Sequence, residues 1–292
     1  MCKRLSADIF SKLLQERVLN FIYSKTSEIR NGDNMIVLFD MDGTLTPPRK
    51  EITHEVVRVL KKLQRYSRIG IISGSDTDYI NQQCKRLFEI GGVDPSKLDI
   101  LPCNGTKLYK WKHTNYSLIE SVDMREKIGK TAYRHIISKI LNLQSSIVTL
   151  YPALPFTGTF VQYRGSLLNW CPIGREANFS ERDDWKKNDK EFAIREAYSE
   201  ELEKFIKDKG IDVTVALGGT TSFDVYPTGW DKTFGLTHYP EQPAYFIGDR
   251  CEKGGNDWHI YKSLEKHDRA WKTSGPEETI HLVEKLIEKL RD

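Results

Sequence analysis

Apolar residues fall into two kinds of run along this chain. Short unbroken runs, "IVLF" at 36–39, "RIGIIS" at 68–73 and "PAYFIG" at 243–248, have the length and β-branched content of strands buried on both faces. Longer stretches carry apolar residues at helical spacing: "THEVVRVLKKLQRY" from 53, "TDYINQQCKRLF" from 77 and "GPEETIHLVEKLIEKL" from 275. Thr53 stands where a helix N-cap belongs. Strand and helix alternate from residue 35, the signature of a parallel, doubly wound α/β sheet.

The pattern changes between about 113 and 229. A helix ("REKIGKTAYRHIISKIL"), three alternating strand-like stretches ("TFVQYRG", "DVTVALG", "SFDVYP") and a charged helix ("KEFAIREAYSEELEKFIKDKG") predict an α+β insertion over the ligand edge of the sheet. Asp183, Asp184 and "KKNDKE" read as solvated helix. Ahead of the sheet, Ser6 can cap a helix whose Ile9, Phe10, Leu13, Leu14, Leu19 and Ile22 form an apolar stripe, and "RNGDN" at 30–34 stops it. Asp8 and Glu16 inside that segment argue against a transit peptide. The expected organisation is a helical extension at 1–33, a core from 34–112 and 230–292, and a cap at 113–229.

Composition narrows the class. With 292 residues the chain has room for two cores, and 39% hydrophobic against 29% charged residues fits a soluble globular protein. No run reaches the roughly 18 apolar residues of a membrane helix. A net charge of +3 gives no case for nucleic acid, and the six tryptophans are scattered. Cys2, Cys84, Cys103, Cys171 and Cys251 form no close pair, as expected of reduced thiols in the cytoplasm. Cys171 and the histidines, His113, His135, His238, His259 and His267 among them, read as packing or surface residues.

The candidate chemistry sits at strand ends. Asp40 and Asp42 follow the first buried run, and ligands in open α/β sheets bind where loops leave the C-terminal ends of strands. A second acidic cluster, Asp249, Asn256 and Asp257 in "GDRCEKGGND", follows another buried run. Neighbouring parallel strands would bring the two together as hard oxygen donors suited to magnesium. A calcium loop is disfavoured because Thr44 and Leu45 replace its third ligand and required glycine, and Pro47-Pro48 follow.

"DMDGT", "SGS", the lysine of "GWDK" and the late "GD…GGND" resemble the four motifs of the haloacid dehalogenase superfamily. "FDMDGTLTPPRKEIT", "NGTKLYKW", "GTFVQYRGSLLNWCPIGRE", "GGTTSFDVYPTGWDKTFGL" and "YFIGDRCEKGGNDWHIY" are similar, in order, to the eukaryotic-type phosphomannomutases. This resemblance implies a Rossmann-like core with an α/β cap and interconversion of mannose 6-phosphate and mannose 1-phosphate, feeding GDP-mannose synthesis. It implies Asp40 as nucleophile, Asp42 as general acid and base, Lys232 as neutraliser of the transferring phosphoryl group, and Ser75 in preference to Ser73 as its hydrogen-bond donor. Mg2+ would be held by Asp40, the main-chain carbonyl of Asp42 and Asp249, with Asn256 and Asp257 in the same loop. A hexose 1,6-bisphosphate would prime the enzyme. Arg164, Arg175 and Arg182 in the cap and Arg49 in the core would face the nontransferring phosphate, and Ser222 and Asp224 would bind phosphate and sugar hydroxyls. A homodimer through the cap is implied as well. Two alternatives stay open here: a sugar phosphatase of the same superfamily, and a noncatalytic phosphosugar-binding regulator.

Overall fold

The computed structural model describes residues 35–89 and 91–291, so the helix expected at 1–33 lies outside the described residues. Its strands are β1 (Ile36–Phe39), β2 (Arg68–Ile72), β3 (Leu98–Leu101), β4 (Lys107–Lys112), β5 (Asn115–Ser121), β6 (Val161–Tyr163), β7 (Leu168–Trp170), β8 (Val213–Gly218), β9 (Ser222–Pro227), β10 (Ala244–Gly248) and β11 (Ala270–Lys272). Its helices are α1 (His54–Leu63), α2 (Thr77–Gln83), α3 (Lys85–Phe88), α4 (Met124–Ile128), α5 (Lys130–Leu150), α6 (Phe179–Phe192), α7 (Ile194–Asp208), α8 (Trp258–Glu265) and α9 (Pro276–Lys289).

Seven strands form one sheet in the order β11-β10-β1-β2-β3-β4-β5, parallel from β11 to β3 and antiparallel thereafter. Why β1 is apolar at every position follows from its two faces. Val37 and Phe39 pack with α1 and α9 residues such as Val56, Leu60 and Val283, whereas Ile36 and Leu38 pack on the other face with Phe246, Ile260 and Leu264. All four are fully buried, so neither face tolerates a polar residue. Helix α1 starts where expected, with the Thr53 hydroxyl accepting from Val56 N at 3.4 Å.

The second sheet has the order β6-β7-β9-β8 and is antiparallel throughout. Its helix-covered face holds Trp170 stacked on Phe223 at 4.4 Å, packed among Ile136, Ile140, Trp185, Tyr198 and Leu202 of α5, α6 and α7. The mixed α/β class expected from the sequence is what is observed. The core and its neighbour touch directly, through Arg164 Nη1 donating to Gly74 O at 2.8 Å and Arg250 Nη1 donating to Gly219 O at 3.3 Å.

Several expectations need correction. The single helix from 77 divides into α2 and α3 at Cys84, whose φ of −102° and ψ of 16° leave the helical region. The helix starting at 125 is broken by Gly129 at φ 82°, a conformation glycine adopts without Cβ strain, and α5 then runs on to Leu150. The charged helix begins earlier, under an Asn178–Glu181 capping box, and divides at Ala193, which is left-handed at φ 48°. The boundary placed at 112 falls inside a hairpin, since β5 pairs with β4 in the large sheet. The solvated reading of Asp183 and Asp184 fits their exposed pairing with Lys186 and Lys187 one turn on.

Candidate active site

Register builds the site. Phe39 lies opposite Ile247 on β10, and Asp40 N donates to Ile247 O at 3.0 Å. The residues leaving the two strands, Asp40 and Asp249, therefore meet at the C-terminal edge of the sheet. The loop after Asp249 returns Asp257, whose Oδ2 accepts from Arg250 N at 3.1 Å. Carboxylate oxygens of Asp40, Asp249 and Asp257 all lie within 4.8 Å of one another. Lys232 follows Asp231, which caps the 3-10 turn Lys232–His238 through Thr233 N. That turn drives the lysine into the sheet edge, where its buried ammonium donates to Asp40 Oδ1 and, at 2.6 Å, to Asp257 Oδ1. Gly43, at φ 88°, is required here because a Cβ would overlap the Asp249 carboxylate.

Electrostatics follow from crowding. Burial pushes the Asp40 carboxyl well above the usual range and Lys232 opposes it, while Asp257 and Asp249 push further up. Asp249 is pushed up to about 6 by burial and by the Asp257 carboxylate. Burial works against the charge of Lys232, but Asp257 and Asp40 outweigh it and hold the lysine protonated. The donor set fits a hard divalent cation: three carboxylates converge, and Asp249 Oδ1 and Asn256 Oδ1 are buried oxygens with no hydrogen-bond partner.

Asp42 points elsewhere. Its Oδ1 accepts from Arg49 N at 3.1 Å and from the Tyr79 hydroxyl at 3.2 Å. Burial raises its pKa, and those two donors oppose the rise. Arg49 is exposed, with φ at 61°. In the loop after β2, Ser73 is buried and its hydroxyl accepts from Ser75 N at 3.1 Å, whereas Ser75 is half-buried.

The second sheet contributes a polar face. Strand alternation sends Trp170 and Phe223 to the helices and Asn169 and Asp224 to the opposite side, where they are directly paired across β7 and β9. Gln162 of β6 is next in the row and accepts from Arg164 Nε at 3.0 Å. Asn169 Nδ2 donates to Asp224 Oδ1 at 2.7 Å and to Ser222 Oγ at 3.1 Å, and its Oδ1 accepts from Arg175 Nη1 at 2.8 Å. Arg182 is buried and bonded to Ala177 O, Thr221 Oγ1 and Arg175 O. It thereby fixes the backbone that carries Arg175. Burial, then Arg164, lowers the pKa of Arg175, and burial raises that of Asp224.

The profile of the eukaryotic phosphomannomutase family matches residues 56–289. The chain belongs to that family. It is 36% identical over 233 residues to a phosphomannomutase of Dendrobium officinale, covering 78% of this chain and 85% of that protein. Over 260 residues it is 34% identical to a phosphomannomutase of Saccharomyces cerevisiae, covering 86% and 94%. Among solved structures, a mutant IMP-nucleotidase of Plasmodium falciparum with IMP bound superposes with a TM-score of 0.62 at 14% identity, over 87% of this chain and 68% of that one. That likeness is one of fold alone. Asp40 and Asp42 precede the matched span; the β1–β10 pairing brings Asp40 to Asp249 and Asp257 within it, and Lys232 donates to Asp40. Among the described residues no helix is long and apolar enough to cross a membrane.

Tyr79 and Asn169 did not emerge from the sequence. Tyr79 looks like one aromatic on an ordinary helix. Asn169 gave a fainter signal, a lone amide inside the apolar run "SLLNW".

Proposed function

We propose that the protein interconverts mannose 6-phosphate and mannose 1-phosphate, primed by a hexose 1,6-bisphosphate, and so supplies the sugar phosphate for GDP-mannose synthesis. The observation that carries this reading is the buried Asp40–Lys232–Asp257 cluster at the sheet edge, together with a second sheet whose polar face bears Arg175 and Asp224 and whose Arg164 reaches the core at Gly74 O. A carboxylate oxygen of Asp40 attacks the phosphorus atom of the bisphosphate, and the bond from phosphorus to the sugar oxygen breaks. Asp42 gives that departing oxygen its proton and takes one from the hydroxyl attacking in the return step. Lys232 holds positive charge against the transferring group, and Ser75 donates a hydrogen bond to it. Magnesium, held by Asp40, Asp249, Asn256 and Asp257 with the main-chain carbonyl of Asp42, would supply charge neutralisation at the phosphoryl oxygens.

The nontransferring phosphate belongs to the cap, with Arg175 and Arg164 as its principal partners, Arg182 behind them and Arg49 facing from the core. Arginine suits this task through its planar fork of donors. Asp224 and Ser222 address the sugar hydroxyls. Residues beyond the β4–β5 hairpin, to about 229, act as a cap that excludes water from the aspartyl phosphate. A cap-mediated homodimer is supported by the exposed Leu141, Val148, Leu150 and Phe192 on that part of the molecule. The four cysteines among the described residues are buried and free, which fits a reducing, cytoplasmic setting. The test is incubation with mannose 1-phosphate, Mg2+ and catalytic hexose bisphosphate. Mannose 6-phosphate in excess of free phosphate is expected; free phosphate alone would replace the mutase with a sugar phosphatase.

A further inference from the structure

An asparagine occupies the centre of the polar cap face, and its surroundings leave its role little freedom. Asn169 is 3% exposed, between Leu168 and Trp170, which both pack into the helix-covered core. Cross-strand register puts Gln162 on one side of it and Asp224 on the other. Arginine can only donate and an ionised carboxylate can only accept, so the amide oxygen must face Arg175 and the amide nitrogen must face Asp224. One side chain thus satisfies a cation and an anion at once, at 2.8 and 2.7 Å.

We propose that Asn169 is a positioning residue for substrate recognition, an amide spacer that aims Arg175 and Asp224 into the cleft and keeps the two from pairing with each other. The inference rests on the reading of this face as the site of the nontransferring phosphate and the sugar hydroxyls. Arg175 needs its remaining N–H groups free for a phosphate, and Asp224 needs its second oxygen free for a hydroxyl. That second oxygen lies between β8 and the loop after β2: it is 2.8 Å from where a Cβ on Gly218 would stand and 3.8 Å from where one on Gly74 would. A direct Arg175–Asp224 ion pair would consume both groups. Asn169 prevents it by giving each charge a neutral partner of the right polarity. Aspartate in its place would set two carboxylates against each other, and alanine would free the charges to meet.

The effect falls on binding at the end of the sugar away from Asp40. Contacts made equally in the ground and transition states change KM and leave kcat alone. In Asn169→Ala, KM for mannose 1-phosphate should rise about 10- to 100-fold, the usual cost of hydrogen bonds to charged groups, with kcat within about threefold of wild type. Asn169→Asp is isosteric and keeps the acceptor for Arg175. Near neutral pH its KM should rise comparably. As pH falls, a proton shared between the introduced carboxyl and that of Asp224 restores the missing donor, so the ratio of variant to wild-type KM should shrink. The charged and titratable groups facing this pair are Arg164, Arg175, Arg250, Asp76, Cys103, Cys171 and Tyr226.

The experiment measures kcat and KM of wild type, Asn169→Ala and Asn169→Asp across pH, with thermal unfolding alongside. Wild type without mutase turnover overturns the functional reading itself. Active wild type with Asn169→Ala at unchanged KM overturns the spacer, as does a fall in kcat at constant KM. Should Asn169→Ala not fold, the Asn169→Asp ratio decides: a ratio flat with pH refutes the proposal, and a ratio falling towards acid supports it.

Discussion

Lys232→Met tests the centre of the site most directly. Lys232 is 1% exposed and bridges two buried carboxylates, Asp40 and Asp257, with Asp249 in the same cluster. Removing the ammonium leaves carboxylate oxygens within 4.8 Å of one another without their resident cation. Breaking a buried pair by deleting one partner costs about 3 to 5 kcal/mol, since the charge left behind is uncompensated. At roughly 2 to 4 °C per kcal/mol for a unit of this size, the melting temperature in EDTA should fall by about 6 to 20 °C. Added Mg2+ should then stabilise the variant more than wild type, because Asp40 and Asp257 no longer share their oxygens with the lysine. Saturation at about 100-fold over Kd would return roughly 2.7 kcal/mol. Turnover should stay low even with metal, by about 100-fold or more, since a fixed charge aimed at the phosphoryl group is gone. The assay is thermal unfolding in EDTA and in excess Mg2+, paired with mutase turnover. A variant that melts with wild type refutes the electrostatic reading of the cluster. A destabilised variant with no larger response to Mg2+ refutes the cation site.

Further expectations are briefer. Asp40→Asn should keep the fold and abolish phosphoryl transfer, because an amide cannot form the acyl phosphate; near-normal turnover would sink the mechanism. Arg175→Ala should lose about 2 to 4 kcal/mol of charge-assisted phosphate contact and raise the ratio of free phosphate to isomerised sugar; equal loss of both products would remove Arg175 from the distal site. Ile140→Ala, in the helix-covered cap core, should cost about 2 to 5 kcal/mol by urea unfolding, and a negligible change would mean the cavity collapses. Thr53→Ala should cost about 1 kcal/mol through loss of the α1 cap, read by the same titration.

What could be read from the sequence divides along a physical line. A strand buried on both faces must be apolar at every position, so β1 and β10 are visible as runs, and the aspartates that end them stand out. The edge hairpin β4–β5 escapes because its faces are half-exposed: "KLYKWK" mixes lysines with aromatics and presents no clean period. Helix interruptions escape for another reason. Gly129 is a conventional breaker, but Ala193 takes a left-handed conformation that its identity gives no reason to expect, and Cys84 ends α2 without any turn residue.

The same line separates the two halves of the site. At the core, chemistry sits at strand ends, and the order β10-β1-β2 converts motifs some 200 positions apart into neighbours; knowing that the strands are parallel and adjacent is enough to assemble Asp40 with Asp249. In the cap, chemistry sits in the middle of short antiparallel strands, and which residues meet depends on register. A shift of one residue between β7 and β9 would turn Asn169 towards the helices and Trp170 towards the cleft. Register is held here by the Trp170–Phe223 stack on the far face, so the apolar packing of the cap sheet is what aims its polar row. The arginines announce themselves because a charge in an apolar segment is conspicuous. The amide that orients Arg175 is neutral, and it becomes visible as functional once the strand on its other side is known.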